Sequence, residues 1–170
     1  MKAVTALLAS LALALCSSCG EPKLGEKLKS DQLLFMSDDH PAMAAAFRKS
    51  KATLNEFLES TKSPSPTMTS VAVKVALTDG KETEYFWITP FERLPDGRFT
   101  GEVNNTPVQV RNYSMGQKIS FSEKEIVDWM YYDKAERKMH GNFTLCALLT
   151  VESKAEADEV KRRLGLQCDS

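Results

Sequence analysis

Two carboxylates offer the most chemistry in this chain: Glu84, three residues before Trp87, and Asp128, directly before Trp129. A carboxylic acid held against apolar rings loses hydration, its pKa rises, and it can act as a general acid. The pair marks Glu84 and Asp128 as candidate catalytic residues of a small hydrolase. Acids also have a plainer use, hydrogen-bonding turn amides or pairing with lysines. Trp87 and Trp129 serve either as core anchors or as the floor of a binding groove, since tryptophan is amphipathic and enriched at interfaces. The loop Asn105-Thr106-Pro107 can line such a groove, because loops carry function on rigid sheets. Trp87, Asn105, Pro107 and Trp129 are therefore the candidate binding residues. The chain carries no nucleophile elbow, phosphate loop or metal-spaced cysteine pattern, and no metal or cofactor is expected. His40 follows Asp38-Asp39 at a helix start, which suits capping or exposure; His140 precedes Gly141, which suits a turn.

These residues must be positioned by a sheet. From Ser70 to Asp133 the chain alternates apolar and polar residues and is punctuated by turn pairs. Val71, Val73, Val75 and Leu77 give one apolar face, and Asp79-Gly80 is a hairpin signal. The returning strand, Glu82 to Ile88, is aromatic at Tyr85-Phe86-Trp87 and is expected to end at Pro90. Pro95-Asp96-Gly97 turns into a strand through Phe99 and Val103, where Gly101 predicts a bulge or sharp bend. Val108 to Val110 is expected to pair briefly. Ile119 and Phe121 alternate again, Ser122 to Glu125 has the form of a capping box, and IVDWMYYD reads as strand. Lys134 to Lys138 reads as a charged turn. The segment NFTLCALLTV after Gly141 is buried as strand or helix, and periodicity does not separate the two.

Helices flank this core. Asp38, Asp39 and Pro41 signal a helix start, and an apolar stripe through Met43, Ala46, Phe47, Leu54, Phe57 and Leu58 predicts a helix near residues 41 to 60. The stripe breaks at Ser50, which predicts looser packing at the helix middle. Ser153 to Glu156 starts a second helix that ends at Gly165. The fold class is α+β: a small, strongly bent antiparallel sheet, open or closed part-way into a barrel, covered by an N-terminal and a C-terminal helix.

The first residues state a location. Lys2 precedes an apolar run from Val4 to Leu15, too short to span a membrane, which needs about 20 apolar residues. It has the form of a secretory signal. Ser17-Ser18 precede Cys19 in a way that resembles the lipobox of bacterial lipoproteins, which implies lipidation of Cys19. The expected organisation is a signal peptide over residues 1–18, a tether over 19–37 and a single domain over 38–170. The expected location is the bacterial envelope, lipid-anchored and facing the periplasm; cleavage without lipidation leaves a periplasmic or secreted protein. Of four cysteines, removal of Cys16 and lipidation of Cys19 leave Cys146 and Cys168 free to pair in an oxidising compartment. The alternative is a buried Cys146 and a Cys168 in a frayed tail. A net charge of −1 argues against a nucleic-acid partner, which demands a clustered basic footprint.

As a set, Val73-Lys74-Val75, Glu84-Tyr85-Phe86-Trp87, Gly101, Asn105-Thr106-Pro107, Ile126-Val127-Asp128-Trp129 and Gly141-Asn142-Phe143-Thr144 resemble the YegJ-like bacterial domain of unknown function (domain of unknown function 2314). The resemblance covers roughly residues 38 to 150 and implies a fold without an activity. The family often has histidine at Tyr85 and arginine at Cys146. The preferred reading is a non-catalytic module that binds or shields an envelope protein or component, with the hydrolase as the alternative.

Overall fold

A computed structural model describes residues 36–168. The signal peptide, Cys16, Cys19 and nearly all of the tether lie outside the described residues. Pro41–Ser60 forms α1, with Pro41 in the first turn, where the missing N–H leaves no bond unmade. The cap is His40, whose Nδ1 accepts from the Ala42 N–H at 3.2 Å; Asp38 instead receives the Tyr85 hydroxyl. Ser50 does not loosen the helix. It is only 1% exposed, and its carbonyl accepts the Trp129 indole N–H at 3.3 Å. The break in the apolar stripe is the seat of a tryptophan, which a larger residue would fill.

Six antiparallel strands follow among the described residues: β1 Met68–Thr78, β2 Thr83–Arg93, β3 Phe99–Val103, β4 Lys118–Phe121, β5 Ile126–Asp133 and β6 Lys138–Gly141. Their order is β4-β3-β2-β1-β5-β6, an open sheet with edges at β4 and β6. Register shifts in the β1–β5 and β2–β3 pairings bend it. One shift corrects the expected end of β2. The strand continues through Pro90 to Arg93 because the irregularity between Ile88 and Phe91 falls where proline has no N–H to give the ladder. Gly101 lies opposite Phe91, and a Cβ there would stand 2.5 Å from Ile88 Cγ2 and 2.7 Å from the Pro90 carbonyl. Only glycine lets the two strands approach at this bend.

Phe143–Leu149 is helix, α2, and Lys154–Leu164 is α3, capped by Ser153 and closed by Gly165 in the left-handed region. The main core gathers Val73, Val75, Phe86, Ile88 and Phe121 of the sheet with Leu54, Phe57 and Leu58 of α1. A second cluster joins Leu145 and Leu149 of α2 to Ala157 and Val160 of α3. α3 reaches the sheet through α2 and through edge residue Met139, which bridges to Leu166. A disulfide links Cys146 to Cys168 and ties the chain end to α2. Two expectations need correction. Val108–Val110 is not a strand, since its amides turn to a side chain, as described below. His140 is not in a turn, since β6 pairs it with Tyr131; the turn sequence before it carries no alternation that would reveal so short a strand.

Candidate binding cleft

Glu84 and Asp128 are both buried, at 2% and 0% exposure. They are not neighbours. Glu84 lies opposite Leu77 on β1, and Asp128 lies opposite Lys74. Side chains three residues apart on a strand leave opposite faces, so the two acids do as well. Each is also engaged. The amides of Val108, Gln109 and Val110 donate to the Glu84 carboxylate at 2.9–3.2 Å. Successive N–H groups wrapped on one carboxylate pin the loop between β3 and β4 and leave no face for substrate.

Asp128 holds the start of α2. The Trp129 and Phe143 amides donate to Oδ1 at 2.8 and 3.3 Å, and the Thr144 amide and hydroxyl donate to Oδ2 at 2.8 and 2.7 Å. These amides decide that the segment after Asn142 is helix, because an anion stabilises the first-turn N–H groups. The Lys74 ammonium donates to the Thr144 hydroxyl at 2.6 Å and lies over the Trp87 ring at 4.5 Å. Burial pushes the Asp128 carboxyl up and the Lys74 ammonium down, each opposed by the other's charge. Because every contact donates to Asp128, the cluster uses it as an acceptor; a general acid needs the reverse. Trp87 is half-buried beside this cluster, and its amide donates to Asn105 Oδ1 at 2.9 Å. Asn105 and Pro107 thus belong to the loop that Glu84 and β2 hold.

The open polar groups are elsewhere. A cleft of about 320 Å³ lies between α1, β5, β6 and the start of α2. Trp129 and Tyr131 form its floor with Phe57 and Phe143. Phe57 stacks on Trp129 at 4.7 Å, Tyr131 stacks on His140 at 4.6 Å, and Phe143 meets Trp129 edge-on at 5.4 Å. Gly141 lines the cleft at a φ of +74°, where a Cβ would stand 2.1 Å from the Trp129 carbonyl and 2.6 Å from its ring. From α1, Lys49, Thr53, Glu56 and Ser60 form the opposite wall, and Gln167, next to the disulfide, closes one side. His140 Nε2 is buried without a hydrogen-bond partner among the described residues and lies 3.8 Å from Glu136. Burial and the nearby Asp133, Glu136 and Glu56 raise the Tyr131 phenol, so this end of the cleft is electronegative.

Of the sequence candidates, only Trp129 lines the cleft. Asp128 and Trp87 meet through Lys74, whereas Glu84, Asn105 and Pro107 form a separate loop anchor. The sequence reading passed over Lys49, Glu56, Tyr131 and Gln167, and it placed His140 in a turn. A signal was present for two of them: Lys49, Thr53, Glu56 and Ser60 recur at helical spacing beside the apolar stripe. Among the described residues no group of three or more histidine, cysteine or acidic side chains could hold a metal.

Comparison with known proteins agrees with the resemblance in the sequence. The model of the family described as "Uncharacterized protein conserved in bacteria (DUF2314)" matches residues 40–168. The chain is also 34% identical over 136 residues to "Uncharacterized protein YegJ" of Escherichia coli (strain K12), covering 79% of this chain and 85% of that protein. No solved structure matches the chain. With the family match spanning all three helices and all six strands of the described residues, the chain belongs to the DUF2314 family.

Proposed function

We propose that this chain is an exported, lipid-anchored bacterial envelope protein whose folded domain is a non-catalytic binding module, with the cleft at Trp129 as its binding surface. One observation carries the binding reading: the two acids stand on opposite faces with their oxygens engaged by donors, while Lys49 and Glu56, without ion-pair partners among the described residues, flank a cleft with an aromatic floor. Binding sites combine such apolar floors with a few convergent polar groups. Export and anchoring rest on Lys2, the apolar run to Leu15 and Ser17-Ser18-Cys19. The Cys146–Cys168 disulfide supports them, since such bonds persist in oxidising compartments.

Two experiments test this. Cys19→Ser should abolish lipid labelling and membrane retention while Cys16→Ser leaves both intact; unchanged fractionation of the Cys19 variant defeats the anchoring assignment. For binding, the full-length chain purified in detergent serves as bait against envelope extract. A partner retained by the native chain and lost with Lys49→Glu or Glu56→Lys supports the cleft. Retention by both variants moves the binding surface elsewhere.

A further inference from the structure

The cleft has a polarity of its own. Lys49 and Glu56 are seven residues apart on α1, so they lie on one side of the helix, about 10 Å apart along its axis at 1.5 Å per residue. Both are exposed, both line the cleft, and neither has an ion-pair partner among the described residues. Lys49 stands 5.5 Å over the Phe143 ring, at the end where α2 begins. Glu56 lines the cleft together with Tyr131, whose phenol is raised by burial and then by the negative charges of Asp133, Glu136 and Glu56. Between these charges lies the floor formed by Trp129 and Tyr131.

An occupant must match a cation at one end, an anion at the other and an apolar middle. We propose that the cleft binds a short peptide of about three residues in extended form, with its free ammonium at Glu56 and its carboxylate at Lys49. At about 3.3 Å per residue, three extended residues span the distance between the two charges. An apolar central side chain rests against the floor formed by Trp129 and Tyr131. The charge order excludes ligands that are anionic or cationic at both ends. This assignment rests on the reading of the domain as a binding module and names the ligand class for the same cleft.

The test uses the full chain in detergent carrying Trp87→Phe, which leaves Trp129 as the single tryptophan and fluorescent reporter. The probes are alanyl-leucyl-alanine with free termini and the same peptide acetylated and amidated. The free peptide should change Trp129 emission saturably, and the blocked one should bind roughly tenfold more weakly, as expected for loss of two rim ion pairs. Lys49→Glu and Glu56→Lys should each weaken the free peptide, and the double reversal should restore binding with the peptide turned around. Equal affinity of free and blocked peptides, or no change in Trp129 emission up to millimolar peptide, overturns the assignment. If the peptide fails while the extract partner is still lost with the charge variants, only the ligand class is wrong. If the peptide fails and both variants keep the partner, the cleft reading falls with it.

Discussion

Strand β5 carries two polar environments three residues apart, and they differ in one respect. Around Asp128 every group is answered: its two oxygens take four donors, and Thr144 links it to Lys74. Around Tyr131 and His140 the reverse holds: among the described residues no hydrogen bond reaches Nε2 of His140, and Lys49 and Glu56 stand without ion-pair partners above an aromatic floor. Burial alone therefore does not separate structure from function here, since Asp128 is the more buried. A buried carboxylate whose acceptors are all used fixes a helix or a loop, and the proposed binding reading therefore turns to the cleft that Lys49 and Glu56 flank.

The largest effect should come from breaking the saturated side. Asp128→Ala leaves Lys74 buried without its counter-charge and strips an acceptor from the first turn of α2. The expected loss is about 3 to 5 kcal/mol in denaturant unfolding. A loss below about 1 kcal/mol would mean that α2 holds its start without the carboxylate, and the comparison would fail.

Trp129→Ala removes the floor of the cleft and the stack on Phe57, with an expected cost of about 3 to 5 kcal/mol for truncation of a buried large aromatic. Unchanged stability with lost binding would instead make Trp129 a pure surface contact. Cys168→Ser opens a loop of 22 residues and should cost about 3 kcal/mol by the chain-entropy model. It also frees Gln167 from the side of the cleft. Thiol titration of the unfolded, non-reduced native protein should find neither Cys146 nor Cys168 reactive until a reductant is added; two reactive thiols from this pair would contradict the bond.

Glu84→Ala sharpens the comparison on the other face. It should cost about 1 to 3 kcal/mol, the penalty for amides left without their acceptor, and should raise amide exchange across residues 108–110 while leaving the cleft unaffected. The smallest change is expected from Asp133→Asn. The amides of Glu136 and Ala135 hold the Asp133 carboxyl below its ordinary range, with Thr67 adding to the effect. A depressed carboxyl contributes stability that is present above its unfolded pKa and lost as pH falls through the folded value. The variant should therefore be slightly less stable at neutral pH and converge with the native protein at low pH, which flattens the acid limb of the stability profile. An unaltered acid limb would show that the turn before β6 is not held by this carboxylate.

Much of the fold follows from local pattern. The apolar period of α1, the Asp79-Gly80 hairpin, the bend at Gly101 and the capped last helix are legible because turn residues and side-chain spacing act within a few residues of themselves. The plain role of acids, accepting turn amides, was legible as one of two alternatives. Which alternative holds is a matter of register. The pairing that sets Asp128 opposite Lys74 and Glu84 opposite Leu77 puts the two acids on opposite faces, and no local pattern encodes a long-range register. The helix at Phe143–Leu149 was undecidable for the same reason: its first amides are satisfied by a carboxylate fifteen residues upstream, across a strand turn. The cleft is wholly a tertiary product. Its walls come from residues more than a hundred positions apart, and whether Lys49, Glu56 or His140 finds a partner depends on which side chains the packed chain brings near it.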